Sequence, residues 1–161
     1  MQNHMELTFD SISQNESFAR AVAAAFATQL NPTLAELSDI RTAISEAVTN
    51  AIVHGYSNNA AKKVYMSCEI RGDVFEATVM DEGKGMENVS LAMQPFYTTT
   101  PGTERSGMGF SVMEAFMDGL VVESTPAGNY QGQTILTMSQ AYINARLLCR
   151  LNSDWLTPVY R

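Results

Sequence analysis

Glu46 and Asn50 stand four residues apart in the run Glu46-Ala-Val-Thr-Asn50. On a helix that spacing puts both on one face, a carboxylate beside an amide carbonyl. The pair suits a general base and a Mg²⁺ ligand, because Mg²⁺ takes hard oxygen donors and keeps much of its water. Downstream, Asp81-Glu-Gly-Lys-Gly85 closes a strand-like run. Asp81 can accept a hydrogen bond from an exocyclic amine, while Gly83 and Gly85 let the backbone approach a flat ring closely. Gly107-Met-Gly109 leads into an apolar helical stretch, where backbone N–H groups at a helix start can meet phosphate oxygens. Arg105 and Ser106 precede it and add a guanidinium and a hydroxyl, both suited to phosphate. Each motif is weak alone. In this order and spacing they describe one site for a nucleoside triphosphate and its magnesium.

The elements that must position these residues follow from periodicity. Residues 7–9 form a short strand. Ser13 and Glu16 read as a capping box that opens a helix, with Phe18, Val22, Phe26 and Leu30 as its buried stripe and Arg20, Ala23, Ala24 and Ala27 on another face. Arg20 among small residues makes a flat surface on which an arginine can anchor a protein partner. Asn31-Pro32 ends that helix, and Thr33 with Glu36 caps the next. Leu37, Ile40, Ile44, Ala47, Val48 and Ala51 give this second helix its core side, so Glu46 and Asn50 ride on its last turns. Gly55 reads as a left-handed helix stop.

Val64, Met66, Cys68 and Ile70 alternate with Tyr65, Ser67 and Glu69, the pattern of a half-buried strand. Arg71-Gly-Asp73 turns the chain, and residues 74–80 return and deliver Asp81 to the sheet end. Residues 86–106 lack periodicity and read as a long loop, a lid. Phe110, Met113, Phe116 and Met117 predict a short helix after it. Residues 120–124 and 134–138 predict two more strands, and residues 142–151 a terminal helix. Three helices up to residue 117 and about five strands predict a two-layer α/β sandwich, a mixed sheet covered by helices on one face.

The chain has 161 residues, enough for one domain with a real core, and 45% of them are apolar. A formal net charge of −7 argues against nonspecific binding to nucleic acid or to an anionic membrane. Cys68 and Cys149 lie in no metal-ligand spacing and read as structural thiols of a reducing cytoplasm. No apolar run is long enough to span a bilayer, and the first residues lack the basic and apolar regions of a signal peptide. The expectation is a cytoplasmic protein without direct nucleic-acid or membrane contacts.

Ser45-Glu-Ala-Val-Thr-Asn-Ala-Ile-Val-His-Gly55 resembles the N box of the Bergerat-fold (GHKL) ATPases, the group of gyrase, histidine kinases and MutL. Asp81-Glu-Gly-Lys-Gly85 and Gly107-Met-Gly109 resemble that group's two glycine boxes, and Gly132-Gln-Thr134 its late Gly-x-Thr. Within the group, Gln94-Pro-Phe-Tyr-Thr-Thr99, Glu104-Arg-Ser-Gly-Met-Gly-Phe110, Met113-Glu-Ala-Phe-Met-Asp118 and Asn15-Glu-Ser-Phe-Ala-Arg20 are similar to the anti-sigma-F factors of the endospore programme. The resemblance runs from about residue 5 to residue 138. It implies a serine protein kinase that is also an anti-sigma factor, holding sporulation sigma factor F inactive as a homodimer with ATP or ADP. It further implies phosphorylation of a serine on a STAS-type anti-anti-sigma partner. Glu46 takes the general-base position and Asn50 the Mg²⁺ position. Asp81 reads adenine, with Thr134 supporting it. Gly83 and Gly85 shape the pocket. Gly107, Met108 and Gly109 meet the phosphates, with Thr98, Thr99, Arg105 and Ser106 completing the nucleotide contacts from the lid. Arg20 contacts the protein partner. Thr100 stands where the resemblance leads one to expect a lysine.

The expected division is an ATP-binding kinase domain over residues 1–140 and an unassigned extension over residues 141–161. Rival readings are a stress-response anti-sigma kinase of the sister family and a nucleotide-gated binding module without catalysis. A histidine kinase is disfavoured because the chain holds only His4 and His54 and no upstream phosphoacceptor helix pair. A stand-alone ATPase of the gyrase or MutL type is disfavoured by the lack of a transducer domain.

Overall fold

The computed structural model describes residues 1–97, 107–124 and 132–139, with Leu136 the one side chain described in the last segment. The strands are β1 (Gln2–Asp10), β2 (Lys63–Arg71), β3 (Val74–Asp81), β4 (Gly119–Glu123) and β5 (Gly132–Ser139). The helices are α1 (Gln14–Ala27), α2 (Leu34–Thr49), α3 (Val89–Ala92) and α4 (Gly109–Phe116). A 3₁₀ turn at Thr28–Leu30 follows α1, and a π turn at Asn50–Gly55 follows α2.

The five strands form one sheet in the order β1-β2-β3-β5-β4. Every pairing is antiparallel, which corrects the expected mixed sheet. The reason lies in the connection through α4. β3 and β4 run in the same direction, but β5 inserts between them, so no parallel ladder forms among the described residues. β1 is much longer than residues 7–9. It pairs with the whole of β2, from Gln2 opposite Arg71 to Asp10 opposite Lys63, and this pairing recruits polar residues with little strand signal of their own.

Alternation along β2 and β3 buries Val64, Met66, Cys68 and Ile70 with Phe75, Ala77 and Val79. Met5, Leu7 and Phe9 of β1 share that face by register. Ile40, Ala43, Ile44, Ala47 and Val48 of α2, with Met113 and Met117 at α4, close the core from the other layer.

α1 departs from its expected stripe. Its buried residues are Ala19, Ala23, Ala24 and Ala27, whereas Phe18 is exposed and Phe26 and Leu30 only flank the core. Small side chains bring the helix axis close to its neighbours, and that close approach overrides the pull of larger apolar residues a third of a turn away. Ser13 does not form the expected capping box. Its backbone is already helical, with φ −59° and ψ −30°, so its hydroxyl makes no cap bond. The Thr33–Glu36 box does form: Thr33 N–H donates to Glu36 Oε2 at 2.6 Å, and Glu36 N–H donates to Thr33 Oγ1 at 3.3 Å. Asn31, in the left-handed region at φ 50°, ends the first helical stretch as expected. Within residues 86–106, Asn88 caps the single turn α3 through Leu91 N–H at 2.9 Å. The expected helix at residues 142–151 and the extension at 141–161 lie outside the described residues.

Candidate nucleotide site

The capped start of α2 sets its register, and its apolar face fixes its rotation against the sheet. Glu46 and Asn50 therefore emerge side by side at its C-terminal end, both half-buried. Past Asn50 the helix widens. Tyr56 N–H reaches back five residues to Ala51 O at 3.0 Å. Such π turns recur at functional sites, because the extra residue per turn re-aims side chains. Here one turn has Asn50 at one end and Gly55 at the other.

α4 begins against the Asn50 end. A Cβ on Gly109 would lie 3.0 Å from Glu46 Oε2 and 3.6 Å from Asn50 Oδ1. The N-terminus of α4, whose first N–H groups have no partner within the helix, thus sits on the carboxylate and amide that the four-residue spacing pairs. Gly107 lies in the left-handed region at φ +65°, and a Cβ there would come within 2.7 Å of Tyr97 O. Phe96 N–H donates to Gly107 O at 3.2 Å, which holds the residue before Tyr97 against the start of the second glycine pair.

The Gly55 end meets Asp81. A Cβ on Gly55 would lie 2.5 Å from Asp81 Oδ1, and one on Gly83 would lie 2.2 Å from Gly55 O. Gly55 is therefore required by close approach; it is not the left-handed stop expected, since among the described residues the positive-φ glycines are Gly72, Gly85 and Gly107. Asp81 Oδ1 accepts from Gly83 N–H at 2.9 Å, and Lys84 N–H donates to Gly55 O at 3.0 Å. Burial pushes the Asp81 carboxyl up to about 6, against the lowering effect of the Gly83 N–H. A buried carboxylate so poorly solvated gains from a ligand donor.

Glu46, Asn50, Gly107, Met108 and Gly109 are brought together at one end of the π turn, and Asp81 and Gly83 at the other, with Gly85 two residues on. Thr134 stands in β5 opposite Val79. Thr98, Thr99, Thr100, Arg105 and Ser106 lie outside the described residues. Arg20 sits on the seam between α1 and α2. Its Nη1 lies 3.4 Å from Glu16 Oε1 and 3.5 Å from Ser45 Oγ, and Ser45 Oγ donates to Glu16.

Among the described residues no group of three or more His, Cys, Asp or Glu could hold a metal. Mg²⁺ needs no such cage when phosphates and water supply most of its ligands. Asn50 Oδ1, facing the start of α4, fits that chemistry as a single protein ligand. No described helix is long and apolar enough to cross a membrane.

Residues 12–139 match the histidine kinase-like ATPase domain family. An anti-sigma F factor of Priestia megaterium is 51% identical over 150 residues, which is 92% of this chain and 99% of that protein. Another, from Bacillus subtilis (strain 168), is 46% identical over 149 residues, covering 92% of this chain and 99% of its own. The chain belongs to the anti-sigma F factor family. A further anti-sigma F factor, from Thermoanaerobacter sp. (strain X514), is 57% identical over 124 residues, 77% of this chain and 86% of that one. Among solved structures, the RsbU and RsbW domains of a Mycobacterium tuberculosis protein superpose with a TM-score of 0.60 at 19% identity, over 85% of this chain and 32% of that longer one. This last likeness is one of fold.

In this anti-sigma F factor relative, three contributors to the site were not legible as such. From sequence Gly55 reads only as a backbone stop, Ser124 only as the end of a predicted strand, and Tyr56 falls in no motif of the site. Tyr56 Oη accepts from Glu82 N–H at 2.6 Å, and Ser124 Oγ accepts from Met86 N–H at 2.8 Å, so both tie down the segment that carries Gly83 and Gly85. A tyrosine beside a glycine at a helix end carried one usable signal, since a buried phenol needs a partner.

Proposed function

We propose that this member of the anti-sigma F factor family binds ATP with Mg²⁺, holds the sporulation sigma factor F inactive as a cytoplasmic homodimer, and phosphorylates a serine of a STAS-type anti-anti-sigma factor. It is thus a protein serine/threonine kinase. Its kinase domain occupies residues 1–140, with residues 141–161 as an extension. The observation that supports this most is the approach of Gly109 to Glu46 and Asn50, which puts a helix N-terminus, a carboxylate and an amide around one point. The relatives' names support the sporulation branch over the stress-response sister family.

In this reading Asp81 accepts the adenine amine, with Thr134 beside it, and Gly83 and Gly85 leave room for the ring. Gly107, Met108 and Gly109 offer backbone N–H groups to the phosphates, joined by Thr98, Thr99, Arg105 and Ser106. Asn50 would hold Mg²⁺, which would neutralise triphosphate charge when bound, and Glu46 stays free to act as the base. Glu46 takes the proton of the incoming serine hydroxyl as its oxygen bonds to the γ-phosphorus. The bond from that phosphorus to the β–γ bridging oxygen breaks, and ADP leaves. Arg20 contacts the protein partners.

Glu46→Gln tests the reading, because it keeps the shape and removes the base. Phosphate transfer to the STAS partner is expected to fall by about a hundredfold or more, the usual scale for a lost general base. ATP binding and sigma retention on the immobilised variant are expected to persist. Transfer at the parent rate sinks the assignment of Glu46. An absence of transfer in the parent leaves a nucleotide-gated binding module.

A further inference from the structure

The loop after Asp81 is fastened at three successive amides. Glu82 N–H donates to Tyr56 Oη at 2.6 Å, Gly83 N–H to Asp81 Oδ1 at 2.9 Å, and Lys84 N–H to Gly55 O at 3.0 Å. Two of the three acceptors belong to the adjacent residues Gly55 and Tyr56. Tyr56 is 6% exposed, and its phenol also donates to Lys63 O at 2.5 Å. One hydroxyl thus joins the end of the π turn, the start of β2 and the residue after Asp81. Its single proton and an acceptor lone pair are both used. A phenylalanine in its place leaves the Glu82 N–H and the Lys63 carbonyl without that partner in a buried setting.

We propose that Tyr56 is a positioning residue for nucleobase selection: its phenol holds the Glu82 amide and thereby sets the Asp81 carboxylate against Gly55, ready for an exocyclic amine. The proposal rests on reading Asp81 as the adenine acceptor. Asp81 Oδ1 already takes the Gly83 N–H, so Oδ2 is the oxygen offered to the base. Its direction depends on where the backbone of residues 81–83 is held. Asp81 lies so close to Gly55 that even a Cβ there would come within 2.5 Å of Oδ1, so a small shift of the loop changes how the carboxylate meets the π turn. Burial raises the Tyr56 phenol above its ordinary range, opposed by the Glu82 N–H, so it stays neutral and keeps its donor proton at physiological pH.

The experiment compares ATP with inosine triphosphate, which carries an oxygen where ATP has its exocyclic amine, on the full chain and on Tyr56→Phe. The parent is expected to prefer ATP. In Tyr56→Phe the Kd for ATP is expected to rise about tenfold, the scale of one misplaced hydrogen bond, with that for inosine triphosphate nearly unchanged. A purely structural tyrosine would weaken both nucleotides alike, and that result overturns the proposal. An unchanged ratio with a discriminating parent also overturns it while leaving Asp81 as the adenine reader. A parent that binds both nucleotides equally removes the Asp81 reading itself. Should Tyr56→Phe not fold, hydrogen exchange on the parent decides. The Glu82 amide is expected to be protected without nucleotide and slowed further by ATP but not by inosine triphosphate; exchange at the rate of an open loop overturns the proposal.

Discussion

Asp81 carries two opposing demands. Its carboxyl is pushed up to about 6 by burial, from an ordinary value near 3.8. The protonated form is favoured in the fold, so this group's stabilising contribution is fully present below about pH 4 and is lost as pH rises through about 6. The cost of holding the charge at neutral pH is on the order of 2–3 kcal/mol. Adenine recognition needs the reverse, because the carboxylate accepts the amine at Oδ2 while Oδ1 keeps the Gly83 N–H, and a proton on Oδ2 would turn that acceptor into a donor. ATP affinity is therefore expected to fall as pH drops from 7 to 5, while the nucleotide-free protein gains stability from Asp81 over the same range. Asp81→Asn is expected to melt higher than the parent at pH 7 without nucleotide and to lose the ATP preference. Thermal melts and ATP titrations at both pH values check this; an affinity that is flat with pH removes Asp81 from the base pocket. Cys68 shows the contrasting case. Burial in mid-strand pushes its thiol up to about 12, and it behaves as a small apolar side chain.

At the scale of elements, the approach of α4 to α2 depends on Gly109. A Cβ there meets the tip of the Glu46 side chain at 3.0 Å and the Asn50 amide at ordinary contact distance. Glu46 can yield by a few tenths of an ångström, so Gly109→Ala is expected to fold as stably as the parent, helped by the better helix propensity of alanine. The displaced carboxylate is expected to lower phosphate transfer by about tenfold, since small errors in position are costly in a pre-oriented site. Single-turnover transfer beside thermal melting checks this; parent-like transfer shows that Glu46 tolerates the shift. The two helix starts show what local pattern can and cannot say. Thr33 and Glu36 form their box because Thr33 is extended, at φ −68° and ψ 163°. Ser13 has the same local signal, but Glu16 turns away to Ser45 and Arg20 on the α1–α2 seam.

At the scale of the molecule, Arg20 meets the nucleotide-binding helix at Ser45, the residue before Glu46. Arg20→Glu places like charge beside Glu16 and removes a half-exposed ion pair, a loss worth at most about 1 kcal/mol after solvent screening. Binding of the sigma factor and the STAS partner is expected to weaken by about tenfold or more, as for an arginine anchor. ATP affinity is expected to stay within about twofold, since the link between Arg20 and α2 is a single long hydrogen bond to Ser45, 3.5 Å, and Glu16 keeps the Ser45 hydroxyl as its partner. Calorimetric titration with each partner and with ATP checks this; normal partner binding leaves Arg20 as a seam residue only. The sequence by itself determined the order of motifs, the pairing of Glu46 with Asn50 on a helix, the β2–β3 hairpin that delivers Asp81, and the short helix after the second glycine pair. Those features rest on local spacing and periodicity, which the chain carries within a few residues. Only the tertiary structure decided the length of β1, the antiparallel order with β5 between β3 and β4, the alanine face of α1, and the parts played by Gly55 and Tyr56. Each of these depends on which distant backbone comes within hydrogen-bonding or van der Waals reach, and no window of neighbouring residues contains that information.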